Sequence, residues 1–121
     1  MKTSAYQKAA DVAKQKLDSV SPSFCLAKWN QVSLHLPTGL TNSCYHPPLH
    51  KIDPTAIKDN PAALHNTEQK ISERKQMLKG ERPAGCSYCW NIEDANGTSD
   101  RVYRSGEPWA IQDFESIVGK P

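Results

Sequence analysis

Two cysteines separated by two residues are the first chemically suggestive feature of the chain. Cys86 and Cys89 stand in the stretch CSYCWNIED, followed by an aromatic residue and a pair of acids. Such a C-x-x-C can grip zinc, grip an iron–sulfur cluster or run thiol–disulfide exchange. The chain has four cysteines, Cys25, Cys44, Cys86 and Cys89, spaced C-x18-C-x41-C-x2-C. In a reducing compartment such thiols are more often ligands than disulfides. Four of them are the complement of one all-cysteine zinc site or one 4Fe–4S cluster, and none is left over.

Other side chains compete for a role. His46 and His50 follow Cys44 as C-x-H-x3-H, which would complete a zinc site or set one imidazole beside a cluster. Histidines in a proline-rich loop are more often hydrogen-bonded surface groups, and that is the expectation here. His35 and His65 are expected to have no part in a site. Trp29 and Trp90 lie close to Cys25 and Cys89, either as shields for a metal group or as two of the few large core residues. Glu93 and Asp94 lack a partner base, so they are expected to cap a helix or anchor salt bridges. Arg101, Tyr103 and Arg104 look like a surface edge, or a seam toward another domain.

Positioning the thiols falls to the elements between them. Ala9, Ala10, Ala13 and Leu17, with Tyr6, recur at helical spacing over residues 5–19, predicting a solvent-facing helix ended by SPS at 21–23. Val32, Leu34 and Leu36 then alternate with Gln31, Ser33 and His35, the pattern of a half-buried strand. PTG at 37–39 is a turn and LTNSCY at 40–45 the returning strand, so a hairpin would carry Cys25 ahead of it and Cys44 near its end. HPPLHKI at 46–52 must be irregular or extended, because Pro47 and Pro48 lack amide donors. Asp53-Pro54 and Asn60-Pro61 each pair a capping side chain with proline at the first helical position. The second pair predicts one long helix over 61–79, with Leu64, Ile71, Met77 and Leu78 inward, TEQKISERKQ outward and Gly80 as its stop. ERPAG turns the chain into Cys86. Residues 95–109 show little periodicity, and 110–118 read as a short final helix.

The chain is 121 residues long and 37% hydrophobic, with mean hydropathy −0.67. That predicts one small domain with a modest core, the kind often stapled by a metal or disulfide. Fifteen basic and thirteen acidic residues leave a net charge of +2, too small and too evenly spread to argue for nucleic acid or a membrane surface. No apolar run approaches the roughly 18–20 residues of a membrane span. The N-terminal MKTSAYQKAADVAKQKL lacks the apolar core of a secretory signal, so a cytosolic protein is expected.

FCLAKW at 24–29, GLTNSC at 39–44 and ERKQMLKGERPAGCSYCWNIED at 73–94 together resemble the twitch/SPASM-type region of radical SAM proteins. The shared pattern is a cysteine before a hydrophobic strand, then G-x4-C at a hairpin. A helix reading R-x-x-M-L-x-G-E-x-P leads from there into C-x-x-C and an acid. The resemblance spans residues 23–104 and implies that Cys25, Cys44, Cys86 and Cys89 ligate an auxiliary 4Fe–4S cluster. In proteins of this type, including ones from tailed phages, the region precedes the radical SAM barrel. The chain departs from the full enzyme in having no length for a barrel of several strands, no glycine-rich S-adenosylmethionine loop and no three-cysteine loop. Arg82 occupies the position where a C-x-x-x-C-x-x-C loop would begin, and no such loop occurs elsewhere.

The expected organisation is therefore small α+β: a helical arm over 1–22, a cysteine-ligated domain over 23–104, and a short helix or linker over 105–121 toward an absent domain. The expected function is a cluster-binding accessory domain of a radical SAM system, not catalytic alone, which positions substrate or relays electrons. Its partner would be a radical SAM core in cis or in trans, acting on a peptide or another modified substrate. A four-cysteine Zn2+ module for interactions is the alternative. A small HNH-type nuclease ranks last, because LHN at 64–66 falls within the expected long helix.

Overall fold

Two alanines and a leucine give the first helix its inner face. In the computed structural model, which describes residues 5–44 and 46–118, α1 spans Ala5–Val20 and buries Ala10, Ala13 and Leu17. The side chain of Tyr6, the residue Tyr45 and the final GKP lie outside the described residues. After α1 come α2 (Ala27–Asn30), β1 (Ser33–His35), β2 (Leu40–Asn42), β3 (His50–Lys51) and α3 (Pro54–Asp59). A 3-10 turn (Pro61–Leu64), α4 (Glu68–Leu78), a second 3-10 turn (Ala84–Cys86), α5 (Ser87–Asp94), α6 (Asp100–Ser105), α7 (Pro108–Ile111) and α8 (Phe114–Ile117) complete a small α+β fold. Among the described residues no helix is long and apolar enough to cross a membrane.

The core is in two parts, and the segment Phe24–Ala27 feeds both. Phe24 and Leu26 join Leu17, Val102, Ala110 and Phe114 in a helical core, where Phe24 meets Phe114 edge-on at 6.1 Å. Cys25 and Ala27 join Met77, Cys86, Cys89 and Trp90 in the second. α1 packs directly on α6. Gly106 permits that approach: a Cβ built there would lie 2.8 Å from the Ala13 Cβ. The stretch expected to lack periodicity therefore holds α6 and the start of α7.

The hairpin forms as expected, in register Ser33↔Asn42, Leu34↔Thr41 and His35↔Leu40, with Gly39 at φ 67° in its turn. β2 also pairs with β3, making an antiparallel sheet of order β1-β2-β3. The expected burial of the hairpin is overturned. Val32, Leu34 and Leu36 stay 45%, 39% and 65% exposed, while Thr41 and Asn42 of the middle strand are buried. The covered side of the sheet is polar because a lysine fills it: Lys70 Nζ donates to Thr41 Oγ1 at 2.7 Å.

The two proline starts behave as their chemistry dictates. Asp53 accepts from the Thr55 amide at 2.9 Å and Asn60 from the Ala62 amide at 3.2 Å. The single helix over 61–79 does not form. Asn60 starts only a 3-10 turn, and Thr67, extended at ψ 160°, caps a new helix by accepting from the Lys70 amide. The inward face of α4 keeps Met77 of the expected set but not the others. Lys70, Glu73, Arg74 and Met77 are buried at i, i+3/i+4, i+7 spacing, whereas Leu64, Ile71 and Leu78 are only partly covered. Gly80 ends the helix at φ 80° in a Schellman arrangement, with the Glu81 amide bonded to Gln76 O and the Gly80 amide to Met77 O.

Candidate metal centre

The four cysteines reach one buried cavity from three separate stretches of chain. Cys25 comes from the segment before α2, Cys44 from just beyond β2, Cys86 from the second 3-10 turn, and Cys89 from the first turn of α5. The C-x-x-C therefore sits at a helix start, where its spacing turns both thiols to one side. Met77 of α4 and Trp90 pack against the sulfurs, and the Trp90 Nε1 is tied to Pro83 O at 2.9 Å. Trp29 is half-buried between the two cores.

Polar donors meet the sulfurs. One lysine stands beside two cysteines: the Lys28 backbone N–H donates to Cys25 O at 3.1 Å, and the Lys28 ammonium pulls on the Cys86 thiol. The same ammonium lies 3.2 Å from Glu73 Oε1 and donates to Ser43 O at 3.3 Å, although Lys28 is only 3% exposed. Cys25 also has Ser105 Oγ at 3.9 Å. Cys89 is bonded by the Arg101 backbone N–H and contacts the Ser99 hydroxyl, which in turn donates to Glu93 Oε2 at 2.6 Å.

Burial, and then the proximity of the Cys44, Cys86 and Cys89 thiols, pushes the Cys25 pKa up to about 12. Burial likewise lifts Cys86 to about 11, against the pull of Lys28, and raises Cys89. Burial thus favours the neutral thiol at Cys25, Cys86 and Cys89. A metal bound here must release their protons.

Arg101 corrects the expectation of a surface edge. It is 2% exposed and ties four segments together: Nε and Nη2 to Glu93 at 2.8 and 2.9 Å, Nη1 to Phe24 O at 2.7 Å, and Nη2 to Asp18 at 3.2 Å. Tyr103 is half-buried with its hydroxyl donating to Gln7, and Arg104 pairs with Glu107. Glu93 and Asp94 are salt-bridge anchors, as expected, to Arg101 and Arg82 respectively. Arg82, where a third loop cysteine would have stood, also lies over the Trp90 ring at 5.1 Å.

The histidines divide. His46 lines the cavity, stacked on Tyr88 at 4.0 Å, with Nε2 2.7 Å from Asp100 Oδ2. His50 is elsewhere, bonded to Thr67 Oγ1 at 2.7 Å. His35 and His65 are exposed; neither they nor Asn66, whose side chain accepts from Arg74, lie inside a long helix. Sequence reasoning missed Lys28, Arg101 and the three serines. Only Arg101 carried a signal, since Ser99-Asp100 before it is a helix-start pair.

Two geometric facts bear on what the cavity holds. Its free space is about 20 Å³, room for one water-sized body. Yet among the described residues no three His, Cys, Asp or Glu side chains are gathered closely enough to share one metal ion. The two point in opposite directions, and the spacing is the more discriminating. Ligand distances to a given ion are fixed within about 0.2 Å, whereas free volume changes with a single rotamer.

No protein-family model matches the chain, and neither a curated protein nor a solved structure matches it.

Proposed function

We propose that this chain is an accessory domain carrying a 4Fe–4S cluster on Cys25, Cys44, Cys86 and Cys89. It would serve a radical SAM system by positioning substrate or relaying electrons, without cleaving S-adenosylmethionine itself. The observation that carries the reading is that every cysteine of the chain lines one cavity, with the Ser105 hydroxyl 3.9 Å from the Cys25 sulfur and the Lys28 ammonium beside Cys86. Donors of that kind stabilise thiolate over thiol and tune a cluster's potential.

Charge supports an anionic resident. Among the described residues Lys28, Lys70, Arg74 and Arg101 are buried cations, against Glu73 and the nearly buried Glu93. Lys70 and Arg74 make their side-chain bonds to neutral acceptors: Thr41 and His65 O for the first, Asn66 for the second. Buried charge of one sign is costly unless offset. Of these cations Lys28 and Arg101 line the cavity, and a net-negative group held on four thiolates would lie beside them. What ranks the cluster above zinc is the resemblance of residues 23–104, and the sulfur spacing supports neither group. The link to radical SAM chemistry rests on the resemblance of residues 23–104.

When bound, the cluster would supply one-electron chemistry or an electrostatic anchor; Trp90 and Met77 would exclude water from it. Anaerobic expression with iron and sulfide tests the reading. The expected product is brown, with about four iron and four sulfide per chain. A colourless protein holding one zinc per chain would establish the zinc alternative instead, and a metal-free folded chain would overturn both.

A further inference from the structure

A buried hydroxyl at the cysteine-lined cavity has no hydrogen-bond partner among the described residues. It is the Oγ of Ser43, a residue only 2% exposed. Its backbone is already committed, because Ser43 O accepts from the Lys28 ammonium at 3.3 Å. An unsatisfied buried hydroxyl is unfavourable and rare in a native interior. Two other serines in the same shell, Ser99 and Ser105, stand against Cys89 and Cys25. Ser43 precedes Cys44 in sequence, and both line the cavity.

We infer that Ser43 is a positioning residue for the bound centre, its hydroxyl donating to a sulfur on the Cys44 side, either the thiolate or a sulfide next to it. The inference rests on the proposed metal centre. A centre of thiolates and sulfides offers only acceptors, which a hydroxyl without an acceptor among the described residues matches. Each such donor favours the more electron-rich state and raises the reduction potential.

The test uses the full chain loaded with iron and sulfide, as wild type, Ser43→Ala and Ser43→Thr, with metal content and a spectroscopic redox titration as readouts. In Ser43→Ala the reduced fraction at a fixed poise near the midpoint is expected to fall about tenfold relative to the oxidised, a shift of about 59 mV for one electron. Ser43→Thr, which keeps the hydroxyl, should restore it. Should Ser43→Ala fail to load while Ser43→Thr loads, the hydroxyl is equally implicated. A fully loaded Ser43→Ala with wild-type potential would overturn the role. So would a threonine variant as impaired as the alanine one, since the effect would then follow volume. Wild-type chain that takes up no iron would instead overturn the underlying reading, and Ser43 with it.

Discussion

Arg101 and Glu93 decide more about this interior than any apolar residue does. Removing the guanidinium would strand Glu93, which keeps only 12% of its side chain in solvent. Breaking such a buried pair costs about 3–5 kcal/mol, so Arg101→Leu should lower the urea midpoint sharply and release Phe24 O as well. Arg101→Lys should recover only part of this, because a point charge cannot serve Glu93, Phe24 O and Asp18 as the planar fork does. At the cysteines the expectation is sharper. Cys25→Ser, Cys86→Ser and Cys89→Ser should each lose the visible chromophore and most bound iron, measured per chain after anaerobic reconstitution. A Cys86→Ser protein that stays folded with unchanged metal content would count against the four-thiolate site.

Among the elements, α4 depends on one cap and α6 on one missing side chain. Thr67 Oγ1 accepts from the Lys70 amide and bonds His50, so Thr67→Ala should cost about 1 kcal/mol in equilibrium unfolding. Gly106→Ala would place a methyl 2.8 Å from Ala13 and 3.2 Å from Val102 O. A clash of this kind costs about 1–3 kcal/mol, and adding Ala13→Gly should recover part of it. His50 gives α4's surroundings a pH dependence. Burial, then the nearby Lys70 ammonium with Lys28 behind it, holds its imidazole below the usual 6.5, against the pull of Glu73. A lowered folded pKa means the folded state binds fewer protons than the unfolded one. Its contribution is complete above pH 6.5, is lost as pH falls below that, and levels off beneath the folded pKa. The urea midpoint should therefore drop between pH 7.5 and 5.5, and the His50→Gln protein should drop less.

For the whole molecule, the second core is built around the thiols themselves: Cys25, Cys86 and Cys89 with Ala27, Met77 and Trp90. A tetrathiolate metal contributes on the order of 10 kcal/mol of apparent binding energy, comparable to the total stability of a small domain, about 5–15 kcal/mol. Stripping it with a chelator should therefore unfold the chain, read as loss of far-UV ellipticity with a red shift of tryptophan emission. Trp90 and Trp29 would report that shift, since Trp109 is already 43% exposed.

The local chemistry was legible in the residues. Asp53 and Asn60 before prolines, Gly39 and Gly80 at positive φ, and the hairpin's register all follow from interactions within a few positions. The candidate site was legible as a count of thiols and a C-x-x-C, because ligand chemistry limits what four cysteines in one small chain can do. What the tertiary structure decided is which polar side chains go inside. Periodicity assumes that charge faces water, and it sent Lys70, Glu73 and Arg74 outward; the same assumption put Arg101 at a surface edge or a seam. Lys70, Glu73 and Arg101 are buried instead because partners arrive from distant segments: Thr41 from β2, Lys28 from α2, and Phe24 O and Asp18 from before the hairpin. A charge can be buried only where its partner is, and that location belongs to the fold.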